Sequence, residues 1–129
     1  VSTALQGAGN QRGSWQTPKG RHRIATLIGT GCAMNTAFVG RKVSGMYDPQ
    51  HDDTHKDWIL TRIIRLKGDQ TGINRRGSCD TFQRYIYIHG THDEPALGTP
   101  ASHGCIRMAN DDIMALYQRV RHNELVYIV

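Results

Sequence analysis

The chain has 129 residues, of which 38% are apolar and 21% charged, and its mean hydropathy is −0.51. That length suits one domain over residues 1–129 with a modest core, and no apolar run is long enough to span a bilayer, which excludes an integral membrane segment. The formal charge of +5 favours anionic partners. The cations are scattered, however. The densest groups, "KGRHR" (19–23) and "NRR" (74–76), lack the interleaved aromatics on which a single-strand binder stacks bases, so nucleic acid is not an expected partner.

In chain order, "HRIATLI" (22–28), "DWILTRIIRL" (57–66), "RYIYIHG" (84–90) and "ELVYIV" (124–129) are rich in Ile, Val, Tyr and Thr and predict strands. In the second, Trp58, Leu60, Arg62 and Ile64 share one face by strict alternation, and Ile59, Thr61, Ile63 and Arg65 the other. Residues 44–56, "SGMYDPQHDDTHK", read as a long surface loop. Only "NDDIMALYQRV" (110–120) predicts a helix: Asn110 as N-cap, Asp111 and Asp112 in the first turn, and an apolar stripe of Ile113, Leu116, Tyr117 and Val120 that should pack on a sheet. The fold class is mainly β, with one main helix.

The three cysteines, Cys32, Cys79 and Cys105, are widely spaced and form no C-x-x-C motif. Cys32 and Cys79 either pair in an oxidising compartment or stay as free, half-buried thiols. Cys105 stands apart because it lies in "SHGCIRM" (102–108). A thiol becomes a nucleophile when an imidazole or convergent N–H groups favour its thiolate. His89 ends a predicted strand beside Gly90, where another backbone can approach closely, and residues 90–101 suffice to loop Cys105 back beside it. The N–H groups of Gly104 and Cys105 are candidates for an oxyanion hole. His103 shapes this loop, and Arg107 is a candidate for holding a substrate carboxylate or, alternatively, for pairing with Asp111 or Asp112. The competing use of such residues is metal binding. His51 and His55 in "HDDTH" would align on a helix, but the segment lacks helical periodicity and reads as a loop, so no metal site is expected.

"YIHGT" followed by "LGTPASHGCIRMANDDIMALY", together with "GSWQTPKGRHRI" (13–24), resembles the L,D-transpeptidase catalytic domain, the YkuD-like cysteine enzymes of bacterial cell-wall metabolism. The resemblance covers most of the chain. It implies a mixed β-sheet fold of sandwich or barrel-like form, with Cys105 as nucleophile, His89 as base and the Gly90 carbonyl orienting the imidazole. Ser102, His103, Gly104 and Arg107 fall on the remaining motif positions, at the oxyanion and substrate. The run from His89 to Ser102 is slightly shorter than in many members, and the chain begins at what would be an early internal strand, leaving room for an opening strand or a leader ahead of Val1.

The resemblance further implies peptidoglycan stem peptides as substrate, a thioester formed with release of terminal D-Ala, no cofactor, and a periplasmic or otherwise extracytoplasmic location at the wall. The acceptor would be an amine, from a second stem, a D-amino acid or a wall-linked protein. Water as acceptor would make the same residues an L,D-carboxypeptidase, and a catalytically silent wall-binding module is the alternative from another class.

Overall fold

The computed structural model describes residues 1–129. Strands β1 (Gly20–Ile28), β2 (Thr36–Val39), β3 (Lys42–Met46), β4 (Ile59–Gly68), β5 (Tyr87–Gly90) and β6 (Ile106–Met108) are followed by helix α1 (Asn110–Arg119) and strand β7 (Leu125–Ile128). All seven strands belong to one mixed sheet. β4 is its spine, antiparallel to β1, β2 and β5, while β3 and β7 form outer edges and β6 runs parallel to β5. The mainly β fold with a single α-helix is as expected from the sequence.

Three strands lie where none was predicted. β3 is exposed throughout, so it carries no apolar alternation, and β2 and β6 have only four and three residues. Ser44–Met46 accordingly belongs to β3, and the expected surface loop begins after it. The predicted strand 84–90 is shorter than expected because residues 81–85 turn, with Arg84 N–H donating to the Asp80 carbonyl and Tyr85 in the left-handed region at φ 57°. Asn110 does not cap the helix from outside. It is the first helical residue, and the Glu94 carboxylate takes its place, accepting from the Asn110 backbone N–H at 2.8 Å. The Asn110 amide is instead buried, donating to the Thr91 carbonyl at 2.8 Å.

The sheet buries both faces. On one, α1 sets Ile113 against Ile24, Ile64, Leu66, Ile86, Ile88 and Ile106. On the other, a smaller cluster of Phe38, Ile63 and Tyr87 packs with Cys32 and Cys105. Strict alternation along β4 fails at Thr61, which has φ 75° and forms a bulge between the pairs Leu60–Gly90 and Ile63–His89. A β-branched residue is costly there. Its hydroxyl compensates, donating to Asn110 Oδ1 at 2.5 Å and accepting from Asn35 N–H at 3.1 Å. The bulge bends β4 directly opposite His89 and Gly90.

Because Ile113 is fully buried at the centre of the helix-side core, Ile113→Ala should cost about 2–5 kcal/mol. Ile73→Ala, at a half-exposed turn position, should change stability by less than about 0.5 kcal/mol. Urea denaturation of the two variants checks the contrast.

Candidate active site

The pairing of β5 with β6 puts Ile88 opposite Ile106 and His89 opposite Arg107. Since Ile88 and Ile106 face the helix-side core, pleating turns Tyr87, His89, Cys105 and Arg107 to the other face. The chain between Gly90 and Ala101 thus returns Cys105 to the strand that carries His89. The sulfur lies against the start of β5, where Tyr87 N–H donates to Sγ at 3.3 Å and the thiol donates to the Tyr85 carbonyl at 3.4 Å.

His89 is buried. Its Nδ1–H donates to the Gly90 carbonyl at 2.6 Å, which assigns the tautomer and leaves Nε2 with its lone pair. Burial lowers the imidazole pKa, outweighing the Gly90 bond that raises it, so the ring is neutral. Gly90 is required by close approach: a Cβ there would run into Asn110 Oδ1 and the Leu60 carbonyl. Burial also pushes the Cys105 thiol up to about 12, against the lowering effect of the Tyr87 N–H. The pair is therefore a neutral thiol and a neutral imidazole, and no hydrogen bond joins them, because the thiol proton is directed at Tyr85.

Two hydroxyls clamp the cysteine loop. Ser102 Oγ donates to the Cys105 carbonyl at 2.6 Å and accepts from Gly104 N–H at 3.2 Å. Thr17 Oγ1 donates to the Gly104 carbonyl at 3.0 Å and accepts from Ala4 N–H at 2.9 Å. Gly104 adopts φ 134°, and its missing side chain leaves room for Ile86 Cδ1. The two N–H groups expected to converge on an oxyanion are thereby distinguished: that of Gly104 is occupied by Ser102, whereas that of Cys105 donates to no protein group.

His103 and Arg107 meet at Asp57, a residue for which the sequence offered no local signal. Arg107 Nη2 donates to Asp57 Oδ1 at 2.6 Å, and His103 Nδ1 lies 3.0 Å from Asp57 Oδ2. Arg107 is buried and its Nε has no partner, so it pairs with neither Asp111 nor Asp112. The His103 ring is exposed and packs edge-on against Trp15, with ring centroids 5.5 Å apart. Arg84 was also missed. It donates to the Gly9 and Gln16 carbonyls, and its charge favours a thiolate at Cys105. A cavity of about 510 Å³ opens beside this site, lined by Trp15, Arg84, Tyr85 and His103 among others.

The other sequence candidates stay apart. Cys32, Cys79 and Cys105 are all free thiols. "HDDTH" forms turns rather than a helix, with His51 3.6 Å from Asp48 and no cluster of metal-ligating side chains around it.

The family model of the YkuD L,D-transpeptidase catalytic domain matches residues 1–128. The chain belongs to this family, in agreement with the resemblance carried by its motifs. It is 45% identical over 40 residues to a Bacillus subtilis (strain 168) protein described as "Putative L,D-transpeptidase YqjB", a match covering 31% of this chain and 23% of that protein. An L,D-transpeptidase from Mycobacterium smegmatis aligns structurally with 94% of this chain and 46% of its own, at 16% identity and a TM-score of 0.46. The matched stretches thus cover less than half of either protein.

Two measurements check the site. Asp57→Ala leaves the buried Arg107 guanidinium uncompensated and should destabilise the fold by about 2–3 kcal/mol, given that Asp57 is partly exposed, as read by thermal or urea unfolding. Alkylation of Cys105 should accelerate continuously from pH 7 to 10, since a thiol raised to about 12 has no thiolate plateau in that window. A plateau near neutral pH would mean a preformed thiolate–imidazolium pair instead.

Proposed function

We propose that the chain is a cysteine-dependent L,D-transpeptidase acting on peptidoglycan stem peptides outside the cytoplasm, within the single domain expected over residues 1–129. The observation that supports this most is the placement of Cys105 and His89 on one face of the parallel β5–β6 pair, with the imidazole tautomer set by the Gly90 carbonyl. Membership of the family supports the substrate class, and no helix here is long and apolar enough to cross a membrane.

In this reading the thiol turns from the Tyr85 carbonyl toward His89, whose Nε2 takes its proton as sulfur attacks the peptide carbonyl. The Cys105 N–H is the donor available to the developing oxyanion, and the Ser102 and Thr17 bonds hold it in position. As the C–N bond breaks, His89 returns the proton to the departing D-Ala amine, leaving a thioester on Cys105. An incoming amine then gives its proton to His89 and attacks the thioester, the thiol leaves reprotonated, and a new peptide bond remains. Burial suits this sequence because it keeps thiol and imidazole neutral until substrate arrives and excludes competing water. Arg107 supplies positive charge behind the site for a substrate carboxylate, its buried guanidinium held by Asp57, and His103 shapes the surrounding loop.

Incubation with disaccharide-tetrapeptide, with and without a D-amino acid, should give exchange or dimer products by mass spectrometry. Tripeptide alone would identify water as the acceptor and a carboxypeptidase, and no turnover would leave a wall-binding module. Cys105→Ala should abolish turnover, at least about a thousandfold, while Cys32→Ala and Cys79→Ala retain it. Activity should survive chelation, and a carbapenem should add one adduct mass per chain at Cys105.

A further inference from the structure

The face of the sheet that carries Cys105 continues past the reacting groups. Cross-strand pairs share a face, so the pairs Ile63–His89 and Arg65–Tyr87 lie on it, and along β4 the next residue to point the same way is Lys67. Lys67 stands directly opposite Arg23 of β1. Two cations in register on adjacent strands repel one another and cost stability unless an anion lies between them.

The acids nearby supply an anion to Arg23 alone: Asp69 and Asp80 line the same cavity, but neither pairs with Lys67. Asp69 is shared by Arg21 at 2.8 Å and Arg23 at 3.4 Å. The carboxylate of Asp80 accepts the backbone N–H groups of Arg76 and Gln83, at 2.6 and 2.9 Å. Lys67, which is half-buried, and Arg75 take part in none of the ion pairs. Both line a cavity of about 600 Å³, walled on one side by Phe82. Gln83 borders this cavity and also the one beside Cys105, and its Oε1 accepts from Arg12 Nη2 at 2.6 Å across the boundary. The two cavities therefore adjoin, with Gln83 as their common wall.

We propose that the cavity over Arg23, Lys67 and Arg75 is a binding site for a carboxylate of the same peptide chain whose carbonyl reaches Cys105. This rests on the acyl-transfer reading of that thiol. Tyr87, whose N–H meets the thiol, pairs with Arg65, and Lys67 lies one same-face step beyond, about 7 Å of strand rise. An extended peptide along β4 would bring a carboxylate about two to three residues from its reacting carbonyl to this pair of cations. Phe82 already carries the Arg65 guanidinium on its ring, 3.6 Å from the centroid, which leaves Lys67 and Arg75 as the donors for the ligand.

The test uses the whole chain and two probes, the disaccharide-tetrapeptide and the same compound with its carboxylates amidated. Binding is measured calorimetrically on Cys105→Ala and turnover on the parent chain. The acid form should bind about tenfold tighter than the amidated form, with the difference shrinking as salt rises. Lys67→Gln and Arg75→Gln should raise KM for the acid form severalfold, leave kcat unchanged and leave the amidated form unaffected. Arg75 is exposed, so its variant tests the site even if the Lys67 variant fails to fold. Equal binding of acid and amidated probes, or an unchanged KM in a folded variant, would overturn the proposal while normal turnover left the acyl-transfer reading standing. Selective, Lys67-dependent binding of the acid form without turnover of any peptide would instead uphold the carboxylate site and overturn the acyl-transfer reading. A phosphodiester oligomer that binds the parent chain more tightly than the acid probe, and loses that binding in Arg75→Gln, would also overturn the assignment to carboxylates.

Discussion

The parallel register of β5 and β6 is the constraint on which the site depends. A one-residue slip would turn Cys105 and Arg107 into the helix-side core and expose Ile106, so the register is held by the burial of Ile88, Ile106 and Ile113 together. Parallel neighbours require a crossover, and here the segment through Glu94–Ala96 supplies it. That segment also ties the two ends of the connection, because Glu94 binds the first turn of α1 while Ala101 N–H and Ser102 N–H both donate to the Thr3 carbonyl. Core packing on one face thereby positions Cys105 and His89 on the other.

Burial then decides the protonation states. A thiol at the surface beside an imidazole would tend toward an ion pair, but burial here disfavours both charged forms. Backbone groups do the orienting. The Gly90 carbonyl sets the imidazole tautomer, the Tyr87 N–H and the Tyr85 carbonyl hold the sulfur, and the Ser102 and Thr17 hydroxyls fix the loop. A site built on main-chain groups needs glycines at its closest approaches, which is why residues 90 and 104 have no side chain.

Asp57 links this arrangement to the rest of the sheet. It lies just before β4, yet it engages Arg107 on β6 and His103 in the cysteine loop, so the strand that forms the spine also braces the motif from outside. The same strand continues to Lys67, and with it the cationic character of this face. Chemistry and surface charge are thus ordered along a single backbone.

Much of this was legible in the sequence because the signals are local. Apolar and β-branched runs marked β1, β4, β5 and β7, the 3.6-residue stripe marked α1, and "SHGC" with "YIHG" marked the thiol and imidazole that the fold brings onto one face, with their glycines. Local pattern failed where tertiary contacts override it. β3 has no buried face to produce alternation, β6 is too short to show a period, and Thr61 breaks the alternation of β4 through a hydroxyl bond to Asn110, 49 residues away. The roles of Asp57, Arg84 and Thr17 were invisible for the same reason: each acts on a residue distant in sequence, and nothing in the spacing of a chain encodes such a contact. The sequence alone determined which atoms are available for the chemistry. Only the folded sheet decided which of them meet, which are buried and which stay charged, because pairing register and desolvation are properties of the assembled structure.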